Sequence, residues 1–269
     1  MGHLNLCFPE WQGYAESNDV YHGALALRDA LDIGDFHLIE VPETEELSTA
    51  NQIKGYTANL RQLQATRRAI DEIRPDSVFM VGGTCSSEIA PVSWLNHRYG
   101  GDLTVLWFDA HGDLNTPETS PSKHFHGMPL RSLVGEGDRA MLQERFSNLT
   151  PKQIILVGTR DLDAEEERFI NEQRIAVVRS DQLQALHGVV EGKGAKKLYV
   201  HVDLDVLDPE SFSHQLLPVR GGPSTEILGT TLQHLSETFD IVGLSIVEYA
   251  PKDNTGLSFL KRIAKTIRP

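Results

Sequence analysis

The chain has 269 residues, 40% hydrophobic and 23% charged, which is enough apolar content for a sizeable core and unlike a disordered or collagen-like chain. Its 38 acidic against 25 basic side chains give a formal net charge of −13, which argues against nucleic acid and anionic membrane surfaces as partners. Only Cys7 and Cys85 occur, so a disulfide framework is excluded and a free or metal-bound thiol remains; with no leader pattern and no apolar run of about 18 residues, a cytoplasmic protein is expected.

Along the chain, short apolar runs rich in β-branched residues alternate with segments of helical period. The first strand is predicted over 4–8, then a helix over 18–31 with Asn18 as its cap, a strand over 36–41, and a helix over 56–73 that stops before Pro75. A strand over 77–81, a helix over 87–98 and a strand over 103–108 follow. An irregular stretch over 114–125 comes next, and a segment of that length inside a compact domain usually serves function. Beyond it are expected a strand over 153–157, a helix over 164–173, strands over 176–178 and 197–202 with a helix over 181–186 between them, a helix over 224–236, a strand over 241–247 and a helix over 256–267. This alternation predicts one α/β domain over 1–269 with a mainly parallel sheet of about eight strands.

Polar residues crowd the positions just after five of these strands: Thr84-Cys85, Asp109 to Asp113, Arg160 to Asp163, Asp203 to Asp205, and Glu248. In open α/β sheets the ligand site lies beyond the carboxyl ends of the strands, so these groups can converge. Asp109, His111 and Asp113 stand at alternate positions, and in extended backbone they share a face. Asp203 and Asp205 repeat the device. Taken alone, the first motif reads as a solvated turn with capping aspartates; two such motifs after two strands favour a site for two hard or borderline divalent ions, which would also activate water.

The run Asp109-Ala110-His111-Gly112-Asp113, then Asn115-Thr116-Pro117 and His126-Gly127-Met128-Pro129, together with His201-Val202-Asp203-Leu204-Asp205-Val206-Leu207-Asp208-Pro209 and Glu248-Tyr249, resembles the arginase and agmatinase (ureohydrolase) family. The resemblance spans roughly 81–251. It implies a three-layer α/β/α fold and two divalent ions, Mn²⁺ first, with Cys85, Asp109, Asp113 and Asp203 on one ion and His111, Asp109, Asp203 and Asp205 on the other. It further implies catalytic roles for Asp113, for His126 as a proton shuttle and for Glu248 on the guanidinium of the substrate. Of the substrate-binding residues, Asn115 and Ser122 match in spacing the positions that take an α-carboxylate. Asp163 and Glu166 match those that take an α-ammonium, although acids in the first turn of a helix need no ligand to explain them. Homo-oligomers, trimers or hexamers, are the implied assembly.

The expected activity is therefore metal-dependent hydrolysis of arginine or a close analogue, such as N-hydroxyarginine, to urea and an amine. The alternatives are an agmatinase or guanidino-acid hydrolase, and a catalytically weak binding or regulatory protein. The main departure from the family is Gly82-Gly83-Thr84-Cys85-Ser86 where relatives carry Gly-Gly-Asp-His-Ser. A helix N-terminus and a cation would both depress the Cys85 thiol pKa, and a thiolate favours zinc or iron over manganese, with cobalt and nickel also open. Ser224 is read either as a brace for Glu248 or as a helix cap, and His124 stands where arginases often carry Asn.

Overall fold

The computed structural model describes residues 2–253 and 255–266. In chain order the strands are β1 (His3–Phe8), β2 (His37–Leu38), β3 (Ser77–Gly82), β4 (Thr104–Phe108), β5 (Ile154–Val157), β6 (Ala176–Val178), β7 (Lys197–Asp203) and β8 (Asp240–Val247). The helices are α1 (Asp19–Ala30), α2 (Tyr56–Ile73), α3 (Ile89–Arg98), α4 (Pro129–Leu133), α5 (Arg139–Gln143), α6 (Ala164–Gln173), α7 (Leu186–Gly192), α8 (Thr225–Thr238) and α9 (Leu257–Ala264).

The strands form one eight-stranded sheet in the order β2-β1-β3-β8-β7-β4-β5-β6, and the pairs are all parallel. Successive side chains of a strand point to opposite faces, and β4 shows this clearly. Val105 and Trp107 join the core beneath α2, α3 and α4, with Leu63, Ile70, Ile89, Leu95 and Leu130. Leu106 and Phe108 join the other core, with Leu27 of α1, Val190 of α7, Leu232 of α8 and Leu260 of α9. A parallel sheet covered on both faces needs continuous apolar strands, which is why β4 and β5 are buried at every position. Each fully buried leucine-sized side chain contributes about 1.5–3 kcal/mol, so the two layers of helices stabilise the sheet from both sides. The three-layer α/β/α fold expected from the sequence is the one observed.

Departures from the predicted elements are local. The strand expected over 36–41 pairs only at His37–Leu38, on the sheet edge, where one neighbour rather than two supports it. The helix over 181–186 is instead a 3-10 segment, Ser180–Ala185, broken at Gln182 and leading into α7. Asn18 holds the N-cap position of α1, yet its side chain makes no cap bond and reaches the Glu43 carbonyl instead. Helices α4 and α5 were not anticipated; Asp138 caps α5 by accepting from Ala140 and Met141 N–H. Of the helix predicted over 256–267, Ile267 lies outside the described residues.

The middle strands β3, β8, β7 and β4 are consecutive neighbours in the sheet. The segments that follow them therefore meet above the sheet centre, where an α/β crevice is expected. Gly83 makes the approach possible, because a Cβ there would collide with the backbone carbonyl of Glu10 in the loop after β1.

Candidate metal centre

Each of the four central strands delivers its acid or thiol at its end or within the few residues that follow. Cys85 opens a 3-10 turn, Cys85–Glu88, three residues beyond β3; Asp109 follows β4; Asp203 ends β7 and Asp205 sits in the next 3-10 turn; Glu248 follows β8. Among the described residues, ligand-capable atoms within mutual reach of a single ion form three groups: Cys85, Asp109, His201 and Asp203; Asp109, His111 and Asp205; and Asp203, Asp205 and Glu248. Asp109, Asp203 and Asp205 each appear in two groups, so the three sets share carboxylates as a two-ion site would.

Short local bonds fix these side chains. The Asp109 carboxylate accepts from His111 N–H at 2.6 Å and from Trp107 Nε1 at 3.1 Å, and Asp203 accepts from Asp205 N–H at 2.8 Å. Asp205 in turn accepts from Ala110 N–H at 3.0 Å and faces His111 Nδ1 at 2.8 Å. Cys85 Sγ lies 3.0 Å from Asp203 Oδ2. Asp113 and Glu248 both hold a left-handed backbone, φ 53° and 58°, which non-glycine residues seldom adopt and which aims both carboxylates at the cluster's surroundings.

The electrostatics call for cations. Burial first, and then Asp109 and Glu248, push the Asp113 carboxyl well above its usual range; burial and Asp205 do the same to Asp203. Asp205 is raised to about 7 by burial and by Asp109. Asp109 differs: burial would raise it, but His111 and His201 hold it low. Asp113 Oδ2 is buried with no hydrogen-bond partner, an orphaned acceptor that a divalent centre or its water would satisfy. Carboxylates, two imidazoles and one thiol in this arrangement fit two divalent ions. For Cys85 the sequence predicts a thiol pKa depressed by a helix N-terminus and a cation. Burial and the nearby Asp113 and Asp203 by themselves push the thiol well up, so the expected depression depends on the cation.

His126 Nδ1 pairs with Glu248 Oε1 at 2.8 Å; burial would lower the imidazole pKa, but the Glu248 carboxylate raises it. Asn115 donates through Nδ2 to Asp163 Oδ2 at 2.8 Å, which brings two predicted substrate contacts together. Ser122 is exposed on the same loop, accepting from His124 N–H at 3.2 Å. His124 Nε2 lies 3.0 Å from Glu16 and 2.9 Å from Lys54 Nζ. Glu166 points inward and accepts from Leu114 N–H at 2.9 Å and Asp163 N–H at 3.0 Å, tying the loop to α6. Ser224 is the N-cap of α8, accepting from Ile227 N–H. Arg160, expected to converge on the site, gives its guanidinium to the backbone carbonyls of Gly158, Asp205, Val219 and Arg220.

Sequence reasoning missed three buried groups. Glu10 accepts from the Thr84 and Ser86 hydroxyls, so a carboxylate from the β1 loop meets Thr84 where relatives carry an aspartate in the motif itself. Glu88 and His201 form a 2.8 Å pair beside Cys85. The signal for His201 was its position two residues before Asp203, on the same face of β7; Glu10 carried none.

The sequence model of the arginase family matches residues 11–266. The chain belongs to the arginase family. An arginase of Staphylococcus aureus (strain MRSA252) is 30% identical over 235 residues, covering 83% of this chain and 77% of that protein. Among solved structures, Entamoeba histolytica arginase in complex with L-ornithine aligns with a TM-score of 0.87 at 24% identity, covering 98% of this chain and 97% of that one. Bacillus caldovelox arginase aligns at 0.82 and 26% identity, covering 98% and 96%. This arginase-family member is accordingly a hydrolase of a binuclear-metal family, acting on small guanidino compounds, with its candidate ligands gathered in the three groups above. No helix among the described residues is long and apolar enough to cross a membrane.

Proposed function

We propose that this arginase-family hydrolase cleaves the guanidine group of arginine or a close amino-acid analogue to urea and an amine. The observation that carries the reading is the Asn115–Asp163 clasp, 2.8 Å long and two residues along the chain from Asp113. A zwitterionic head group needs an acceptor for its ammonium and a donor for its carboxylate. Asp163 supplies the first; the Asn115 amide and the Ser122 hydroxyl supply the second. Agmatine, with no carboxylate, has no use for that donor pair.

When bound, two divalent ions supply the Lewis acidity that makes water nucleophilic at neutral pH, with manganese the first candidate and zinc, iron, cobalt or nickel admitted by Cys85. The Glu248 carboxylate accepts N–H bonds from the flat guanidinium and turns its carbon toward the cluster. The buried, unpartnered Asp113 Oδ2 takes the proton that the attacking water gives up. His126, paired with Glu248 and with its side chain 12% exposed, relays a proton to the departing amine.

The test is urea release from a panel of guanidines after loading with manganese, cobalt, nickel or zinc. Turnover of arginine or N-hydroxyarginine at least tenfold above agmatine and guanidinobutyrate is the expected result. The reverse preference rejects the amino-acid reading, and no urea from any pair of metal and substrate rejects the hydrolytic one.

A further inference from the structure

We infer that His201 is a ligand of the ion that Cys85 holds, so that an imidazole lost from the β3 loop is supplied by strand β7, on the far side of β8. The inference rests on the two-ion reading of the cluster and is independent of which guanidine is the substrate.

The geometry begins with the 3-10 turn Cys85–Glu88. Three residues per turn stack positions i and i+3, so Cys85 and Glu88 project on the same side. Cys85 reaches the carboxylates, while Glu88 Oε1 meets His201 Nδ1 at 2.8 Å and Glu88 Oε2 accepts from the Tyr199 hydroxyl at 2.6 Å. Trp107 stacks on the imidazole, centroids 3.6 Å apart at 15°, and fixes its plane. With Nδ1–H given to Glu88, Nε2 presents its lone pair to the cluster. This carboxylate–histidine arrangement is the usual way a protein orients an imidazole toward a metal.

The plain alternative is a core histidine satisfied by Glu88 and Trp107. It gives Nε2 only a long contact with the thiol. That fully buried nitrogen lies 3.8 Å from Asp109 Oδ2, beyond the roughly 2.7–3.2 Å of an ordinary N–H···O bond, and 3.8 Å from Cys85 Sγ, within reach of no more than a weak bond to sulfur. The remaining measured edges are 3.0 Å from Sγ to Asp203 Oδ2 and 3.9 Å from Sγ to Asp109 Oδ2. A tetrahedral ion with bonds of about 2.0–2.3 Å has ligand edges of about 3.3–3.8 Å; both Nε2 edges meet that spacing, the Sγ–Asp109 edge lies just beyond it, and the short Sγ–Asp203 edge is a hydrogen bond from the protonated thiol that a bound ion would replace. One sulfur, one nitrogen and two carboxylate oxygens make a borderline-soft set, whereas His111 with Asp109 and Asp205 is harder. The two positions are thereby built for different ions, zinc, cobalt or iron at the Cys85–His201 position and manganese at the other.

Cobalt(II) titrated into the chelator-treated full-length chain reads this directly. Wild type is expected to bind one ion with both a thiolate charge-transfer band and the intense visible bands of four-coordinate cobalt. His201→Asn keeps a donor for Glu88 and removes Nε2. It is expected to retain the thiolate band, lose the four-coordinate intensity and bind that ion about 100-fold more weakly, because loss even of an outer partner commonly costs about 10–100-fold. An unchanged spectrum and affinity in a folded variant overturns the assignment. Should the variant not fold, zinc absorption spectroscopy on His111→Ala decides, since His201 is then the remaining imidazole of the three groups. Sulfur scattering accompanied by imidazole scattering supports the assignment, and sulfur without it overturns the assignment. Normal cobalt binding without any urea release would instead reject the proposed reaction and leave this ligand in place.

Discussion

The two ends of the metal cluster are built differently. At the Cys85–His201 end every donor is buried, and the imidazole is oriented by partners distant in sequence, Glu88 from the β3 loop and Trp107 from β4. At the His111 end the ring is 28% exposed; Asp109 accepts from His111 N–H two residues on, and Asp205 accepts from Ala110 N–H in the loop after β4. The closed end depends on the packed core for its geometry, so a change there perturbs metal choice and structure together. The open end has a partly exposed ring and can trade ligands with water.

The largest effect is expected where the ends join. Asp109 belongs to both the Cys85–His201 group and the His111 group, and its pKa is held low by two imidazoles acting against burial. Asp109→Asn is expected to abolish tight binding of both ions and cut urea release by well over about 100-fold, since loss even of an outer partner can cost that much. Without metal it is also expected to lower the melting temperature, because His111 and His201 lose their counter-charge. Asp203→Asn removes a repelled carboxylate and is expected to raise the metal-free melting temperature, by about 2–4 °C per kcal/mol in a chain of this size. Shifts of the same sign in the two variants would erase the distinction between the paired and the repelled acid.

A smaller effect separates the ends by metal choice. Cys85→His hardens the closed end, so manganese affinity there is expected to rise about tenfold while zinc affinity falls. His111→Ala is expected to leave the zinc affinity of the Cys85 position within about threefold. Competitive titration with a chromophoric chelator measures both, and an equal response at the two positions would show that they are not chemically distinct. On the substrate side, the double change Asn115→Ala and Ser122→Ala is expected to raise KM for arginine about 10–100-fold, the worth of one or two charge-assisted hydrogen bonds, with agmatine altered less than about threefold. Equal losses on both substrates would remove the head-group assignment.

How much of this could be read from the sequence follows the same division. The open end is written locally: Asp109, His111, Asp113 and Asp203, Asp205 alternate within short runs and so stand out in the string, although a loop after β4 and a 3-10 turn after β7, not a pleat, place their side chains. The sheet was legible for a similar reason, since β4 and β5 are apolar at every position, as burial on both faces demands. Edge strand β2 was overextended because apolar residues over 36–41 do not reveal how many neighbours a strand has. The closed end is non-local. Nothing in the string joins Glu88 to His201, and Glu10 to Thr84 is a contact across the sheet's end that only the folded chain makes. Helices α4 and α5, five residues each, are too short to display a helical period.

The smallest effect concerns the loop beside the site rather than its ions. Burial lifts the Glu166 carboxyl to about 7, against an ordinary value of 4.5, although the N–H groups of Asp163 and Leu114 work in the opposite direction. The folded pKa is the higher one, so between about pH 4.5 and 7 the folded chain holds a proton that the unfolded chain has released. Stability from this group is therefore present at the acid end and lost as pH rises through 7, by on the order of 3 kcal/mol across the window. Glu166→Gln cannot ionise, but it offers one acceptor to two N–H donors, so it forfeits one bond, about 1 kcal/mol, at every pH. The expected outcome, read by thermal melts of chelated protein from pH 4.5 to 7.5, is that wild type is the more stable at pH 4.5 and that the gap narrows or inverts by pH 7.5. A gap that widens with pH would mean that Glu166 is ionised when buried, its charge held by the N–H groups of Asp163 and Leu114 against the cost of burial.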